Sequence, residues 1–138
     1  MTHPSQRSLL TPDLASHPSR LLGSARPLYT TDLGAAYTGD SLALMGELPD
    51  ASVKLVVTSP PYALHFKKEY SNVDKADYVD WFLAFAREIK RILIDDRSFV
   101  LNIGNSYNPN KPTRSLYHFK LLVQLCNELG FHLAQKCF

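Results

Sequence analysis

Val53-Lys54-Leu55-Val56-Val57-Thr58-Ser59-Pro60-Pro61-Tyr62 is the stretch on which the fold turns. Its first half is an apolar, β-branched run with the marks of a buried strand. The run stops abruptly at a double proline. Ser59 precedes a proline and is pushed to an extended conformation. Pro60 and Pro61 have a fixed φ and no N–H. A stiff loop therefore sits directly at a strand end and offers a hydroxyl, outward carbonyls and the ring of Tyr62. A proline-rich turn that merely ends a strand is the plainer reading. Tyr62 after the loop and Gly39-Asp40 one strand earlier argue instead for a built site.

The flanking sequence supplies the rest of the fold. Ala35 to Thr38 is a short strand candidate that ends at Gly39-Asp40, and Ser41 to about Gly46 can form a helix capped by Asp40 or Ser41. Tyr78, Phe82, Phe85, Ile89 and Ile92 form one apolar helical stripe. Asp74 or Asp77 can cap that helix, and Lys90 and Arg91 suit its end. Asp95-Asp96 reads as a turn, and Ser98 to Ile103 as a second buried strand closed by Gly104-Asn105. A third helix follows Pro112-Thr113, with Leu116, Phe119, Leu122, Cys126 and Leu129 on its inward face and Gly130 as its stop. Phe131 to Phe138 reads as the start of a further strand. Strands alternating with helices predict an α/β fold with a mainly parallel sheet. Ligands of such sheets sit at the carboxyl ends of the strands. Gly39-Asp40, Thr58 to Tyr62 and Asn102 to Asn105 are therefore expected along one edge.

Composition narrows the classes. The chain has 138 residues, 45% of them hydrophobic, which is enough for one packed core and too apolar for a disordered chain. It contains no apolar run of the roughly 18–20 residues that a membrane span needs. Two cysteines, Cys126 and Cys137, make neither a disulfide scaffold nor a paired metal-ligand spacing, so the expectation is a reduced, soluble, cytoplasmic protein without a metal. Residues 1–26, rich in serine and proline, read as a flexible N-terminal arm. Its acid-poor start would also suit an organelle-targeting segment, but Pro4, Pro12 and Pro18 oppose an amphipathic helix. The net charge of +2 belongs to this arm, since Arg7, Arg20 and Arg26 face Asp13 alone there. The overall charge balance of residues 27–138 therefore says little about a nucleic-acid partner.

Three stretches carry a family resemblance: Tyr37 to Leu42, Val56 to Tyr62, and Tyr78-Val79-Asp80-Trp81-Phe82 through Phe99 to Gly104. Together they resemble the amino-methylating DNA methyltransferases, in particular the N4-cytosine branch with the permuted order in which the catalytic motif precedes the cofactor motif. Lys67-Lys68-Glu69-Tyr70 and the strand after Gly130 look similar to the PvuII type of modification enzyme. The resemblance spans about residues 27–138. It implies a Rossmann-like sheet, S-adenosylmethionine as cofactor, double-stranded DNA as partner, and site-specific N4-cytosine methylation within a restriction–modification system. It further implies Ser59, Pro60, Pro61 and Tyr62 as catalytic residues, and Asp40 and Thr58 as cofactor contacts. Asn102 and Gly104 would line the target pocket, and Lys67 and Lys68, with His65 beside them, would touch phosphates. In this family an Asp or Asn at the position of Ser59 usually goes with adenine, and Ser with cytosine, so N6-adenine methylation is the alternative.

The chemistry can also be argued from the residues. An exocyclic amine is a poor nucleophile because its lone pair is conjugated with the ring. Two acceptors for its hydrogens, the Ser59 hydroxyl and the Pro60 carbonyl, would help it rehybridise and stabilise the positive charge that develops. The double proline preorganises the carbonyl. Tyr62 can stack on a base flipped out of the duplex. The chain has no Pro-Cys of the kind that ring-carbon methylation uses, and Cys126 reads as core packing.

One part of the family pattern is missing. Glycines 23, 34, 39, 46, 104 and 130 are well separated, so no Phe-x-Gly-x-Gly cofactor loop is present, nor is a target-recognition region. Arg97 stands where the family tends to have glycine in the turn. The expectation is the catalytic portion of a longer or split enzyme, inactive alone, with a separate C-terminal segment as possible partner. A non-catalytic truncated remnant and a small α/β binding module of another kind are the competing readings.

Overall fold

The computed structural model describes residues 17–62, 77–108 and 110–136. They fall into two compact units, Met1–Leu48 and Pro49–Phe138.

In the first unit, strands β1 (Tyr29–Thr30) and β2 (Ala35–Ala36) form an antiparallel hairpin. The turn is closed by the Thr31 N–H donating to the Gly34 carbonyl at 2.9 Å. A short 3-10 turn, Pro18–Arg20, precedes it. This turn is tied to the hairpin region through His17 Nε2 on the Thr31 carbonyl at 2.8 Å, and through the Tyr37 hydroxyl donating to the Pro18 carbonyl at 3.2 Å. Helix α1 (Ser41–Gly46) is capped by Asp40, whose Oδ1 accepts from the Leu42 N–H at 2.9 Å. The expected strand at Ala35 to Thr38 thus shrinks to two residues and pairs with β1, not with the parallel sheet. A two-residue antiparallel neighbour already satisfies its backbone groups.

In the second unit, β3 (Val53–Thr58) leads through residues outside the described range to α2 (Tyr78–Ile92), and α2 runs directly into β4 (Leu93–Leu101). The strands are parallel, with Leu55 opposite Ser98, Val57 opposite Val100 and Thr58 opposite Leu101. Helix α3 (Tyr117–Asn127) follows. Gly130, with φ of 64°, sits past its end in the left-handed conformation, and its N–H donates to the Cys126 carbonyl at 3.1 Å. The Lys90 ammonium donates to the Gly130 carbonyl at 3.1 Å.

The core is the seam between the two helices. Tyr78, Val79, Phe82, Leu83 and Ala86 of α2 meet Tyr117, Leu121 and Leu125 of α3. The expected α2 stripe therefore holds, with Phe85 half-buried at its edge. On α3 the stripe is rotated. Tyr117, Leu121 and Leu125 are buried, whereas Leu116 and Phe119, expected to face inward, are exposed. All of these positions have helical spacing, and the aromatic seam of Tyr78 against Tyr117, with centroids 4.9 Å apart, selects among them.

Three further expectations are corrected. Asp95-Asp96 lies within β4, not between helix and strand. It belongs to a register jump in which Val53 pairs with Leu93 and Leu55 with Ser98, so one residue of β3 faces four of β4. Arg97 closes that excursion by donating to the Ile94 carbonyl at 3.0 Å and to Asp95 at 3.2 Å. Secondly, β3 and β4 are not buried on both faces. Phe99 and Leu101 pack against the helical core, but Leu55, Val57 and Val100 on the opposite face are exposed. Thirdly, residues 131–136 form no strand, since no strand among the described residues pairs with them and the Phe131 N–H donates back to the Leu125 carbonyl at 3.1 Å. Phe131 is instead held by its side chain, against Phe99 at 5.5 Å between ring centroids and beneath the Lys90 ammonium at 5.0 Å.

Candidate active site at the carboxyl end of the parallel strands

The Thr58–Tyr62 loop leaves β3 at the carboxyl edge of the pair. It is joined there to the segment after β4 by the Asn102 N–H, which donates to the Thr58 carbonyl at 2.9 Å. The parallel ladder is thus extended by one bond, and the two loops emerge side by side. Ser59 is exposed, and its hydroxyl lies 3.4 Å from the Tyr62 hydroxyl. That distance is longer than an ordinary hydroxyl pair, so the contact is weak.

Gly104 brings the second loop up to Tyr62. A Cβ at Gly104 would meet Tyr62 Cε2 at 3.6 Å, so the ring comes close to a backbone that carries no side chain. The Gly104 carbonyl on that loop accepts the Tyr117 hydroxyl from the start of α3. Tyr117 in turn packs edge-on against Tyr78. Burial, reinforced by the Tyr117 and Tyr62 hydroxyls, pushes the Tyr78 phenol well above the ordinary tyrosine range. The Tyr78 hydroxyl is buried without a hydrogen-bond partner among the described residues. A cluster of three tyrosines thus supports the site from the core side.

The structure therefore brings together Thr58, Ser59, Pro60, Pro61, Tyr62, Asn102 and Gly104. The Asn102 side chain is exposed beside the loop, with donors and an acceptor in one amide. Asp40 belongs to the first unit, where it caps α1. His65, Lys67 and Lys68 lie outside the described residues. Sequence reasoning missed Tyr117 as a support of the site. A tyrosine one turn ahead of Leu121 looks like an ordinary core residue, and only its reach to Gly104 distinguishes it. Among the described residues no cluster of His, Cys, Asp or Glu could hold a metal ion, and no helix is long and apolar enough to cross a membrane.

The Ser-Pro-Pro-Tyr loop thus lies at the carboxyl end of a parallel strand, with a glycine of the neighbouring loop beside it. Residues 53–137 match the DNA methylase family, and the chain belongs to it. It is 48% identical over 110 residues to the type II methyltransferase M.PvuII of Proteus hauseri, covering 80% of this chain and 33% of that protein. It is 34% identical over 119 residues to M.BamHI of Bacillus amyloliquefaciens, covering 82% of this chain and 28% of that one. Among solved structures it matches the PvuII DNA methyltransferase (cytosine-N4-specific) with a TM-score of 0.72 and 46% identity, over 83% of this chain and 40% of that chain. The α/β methyltransferase fold is thereby established, and the chain spans about a third of the length of these relatives.

Proposed function

We propose that this chain carries the target-amine pocket of a site-specific DNA methyltransferase that methylates the exocyclic N4 amine of cytosine. The observation that carries this reading is the Ser59 hydroxyl, exposed on a proline-stiffened loop beside Tyr62 at the carboxyl edge of the β3–β4 pair. The similarity to a solved cytosine-N4-specific enzyme supports the choice of base over N6-adenine.

Ser59 Oγ and the Pro60 carbonyl accept the two amine hydrogens, which localises the nitrogen lone pair and offsets its developing positive charge. Tyr62, held beside the Gly104 backbone, stacks on a flipped base, which offsets part of the few kcal/mol of unpairing. S-adenosylmethionine supplies an electrophilic methyl group on a sulfonium. With that group bound, Ser59 and the Pro60 carbonyl would keep the amine turned toward the methyl group, and the amine would give up one proton to solvent.

The residues present fit part of that cofactor. Asp40 uses Oδ1 for its helix cap and is exposed, so Oδ2 suits a ribose hydroxyl. Thr58, half-buried at the strand end, suits the methionine side. A glycine-pair loop for the remainder is not in this sequence, so we assign it to a further polypeptide segment, and the whole activity to the combination acting on double-stranded DNA.

The test is a chimera in which residues 27–138 replace the matched third of M.PvuII. Its DNA product, digested to nucleosides, should contain N4-methylcytosine, and Ser59→Ala should lower that yield by at least about 100-fold, the scale of losing one preorganised acceptor. N6-methyladenine as product, a folded but inactive chimera, or unchanged yield with Ser59→Ala would overturn the reading.

A further inference from the structure

Between Asp96 and Glu128 the sequence has no Asp or Glu, yet it contains Arg97, Lys111, Arg114 and Lys120. The neutral balance of the chain thus hides a locally basic segment. Within that segment, residues 106–108 and 113–115 form a pair of antiparallel segments. The Ser115 N–H donates to the Ser106 carbonyl at 2.7 Å, and the Asn108 N–H to the Thr113 carbonyl at 2.8 Å, with a bridge between Tyr107 and Arg114. Asn108 Nδ2 braces the same pair through the Thr113 hydroxyl at 2.9 Å. Lys111 is exposed at the tip.

Arg114 is unusually well held for an exposed arginine. One terminal nitrogen donates to Asn105 Oδ1, the other to the Tyr107 hydroxyl at 3.0 Å, and the guanidinium lies over the Tyr107 ring at 4.4 Å from its centroid. Asn105 stands only three residues beyond Asn102, which is bonded to the Thr58 carbonyl at the strand end. Among the described residues, Asn105 and Tyr107 hold Arg114 through neutral groups, which position its charge without neutralising it. An open groove of about 480 Å³ beside it is lined by Asn108, Arg114, Ser115 and Lys120, with no carboxylate in its lining. Lys120 also borders a neighbouring groove that Asp80 lines.

We propose that Arg114 and Lys111 form a clamp for the DNA sugar–phosphate backbone next to the target base. A guanidinium fixed by neutral partners suits phosphate oxygens, because two N–H donors held in one plane bond bidentately without a further loss of side-chain freedom. Such contacts set register and orientation without reading sequence. The inference rests on DNA being the partner of the Ser59 site, but not on which base is methylated.

The experiment uses the full 138-residue chain and a short fluorescein-labelled duplex, with anisotropy read across roughly 50 to 200 mM salt. Arg114→Gln and Lys111→Gln should each weaken binding and each lower the slope of log K against log salt by about 0.9. Tyr107→Phe, which keeps every charge, should weaken binding while leaving the slope unchanged. Arg87→Gln, an exposed charge on α2, should alter neither. Unchanged slopes in both charge variants, with the wild-type chain binding and the variants folded by circular dichroism, would overturn the clamp and leave DNA as partner. Absence of binding by the wild-type chain would also overturn it, while the methyl-transfer reading would still stand or fall on the nucleoside product of the chimera.

Discussion

The two faces of the β3–β4 pair are made from similar residues and have opposite fates. Phe99 and Leu101 turn inward onto the α2–α3 seam, while Leu55, Val57 and Val100 point outward and are 53%, 65% and 48% exposed. Parallel sheets are ordinarily covered on both faces. The difference teaches where this unit is self-sufficient. Its interior is complete on the helical side, and the loops of the site grow from that side's support through Tyr117 and Tyr78. The outer face contributes strand propensity without burial.

The sharpest way to break this contrast is to remove Leu121, which is fully buried in the helical seam. Leu121→Ala should cost about 2–5 kcal/mol, measured by urea denaturation, since both the transfer free energy and a cavity are lost. A small loss would mean that the seam is not the core. Next in size is Tyr117→Phe, which keeps the ring against Tyr78 and removes only the bond to the Gly104 carbonyl. A loss of about 1 kcal/mol is expected. With it, the tyrosine spectrum of Tyr62 should shift as its backing loop relaxes. An unchanged spectrum would separate the cluster from the site.

On the outer face, Val57→Thr keeps the β-branched shape and should change stability by no more than about 0.5 kcal/mol. A cost several times larger would show that another surface covers this face in solution. The smallest expected effect lies in the other unit, at Glu47. Its carboxylate accepts from the Ser24 hydroxyl and, at 3.1 Å, from the Ser24 N–H, and these bonds hold its pKa below the ordinary value. A depressed folded-state pKa contributes stability that is present above the unfolded value of about 4.3 and is lost as pH falls through the folded one. The difference in melting temperature between the wild type and Glu47→Gln should therefore be present at neutral pH and vanish in acid. A difference that persists in acid would rule out the carboxylate as its source.

The placement of the Thr58–Tyr62 loop at a strand end was legible because it depends on local covalent facts. The double proline restricts Ser59 wherever the chain goes, and a β-branched run places that restriction at a strand end. The Asp40 cap and the Gly130 stop are likewise decided within one turn of helix. The α3 face was misread because Leu116, Phe119, Tyr117 and Leu121 all have admissible helical spacings. Their order of burial depends on which one meets Tyr78. The Asp95-Asp96 turn became a strand excursion because Arg97 can bond back to Ile94, a choice that propensity alone does not express.

The helix and strand types and the stiffness of the Ser59–Tyr62 loop followed from the sequence alone, because they rest on periodicity and backbone restriction over short spans, and the methyltransferase family was recognisable from the resemblance of its motifs. Only the tertiary structure decided that β2 joins β1 and that Gly104 backs Tyr62. It alone revealed that Tyr117 holds the Gly104 loop, and that Arg114 is fixed by Asn105 and Tyr107. Each of these is a contact between segments, and its outcome depends on which surfaces of comparable polarity pack first and best. A sequence pattern marks which residues can be buried or bonded, but the competition among their possible partners is settled by geometry in three dimensions.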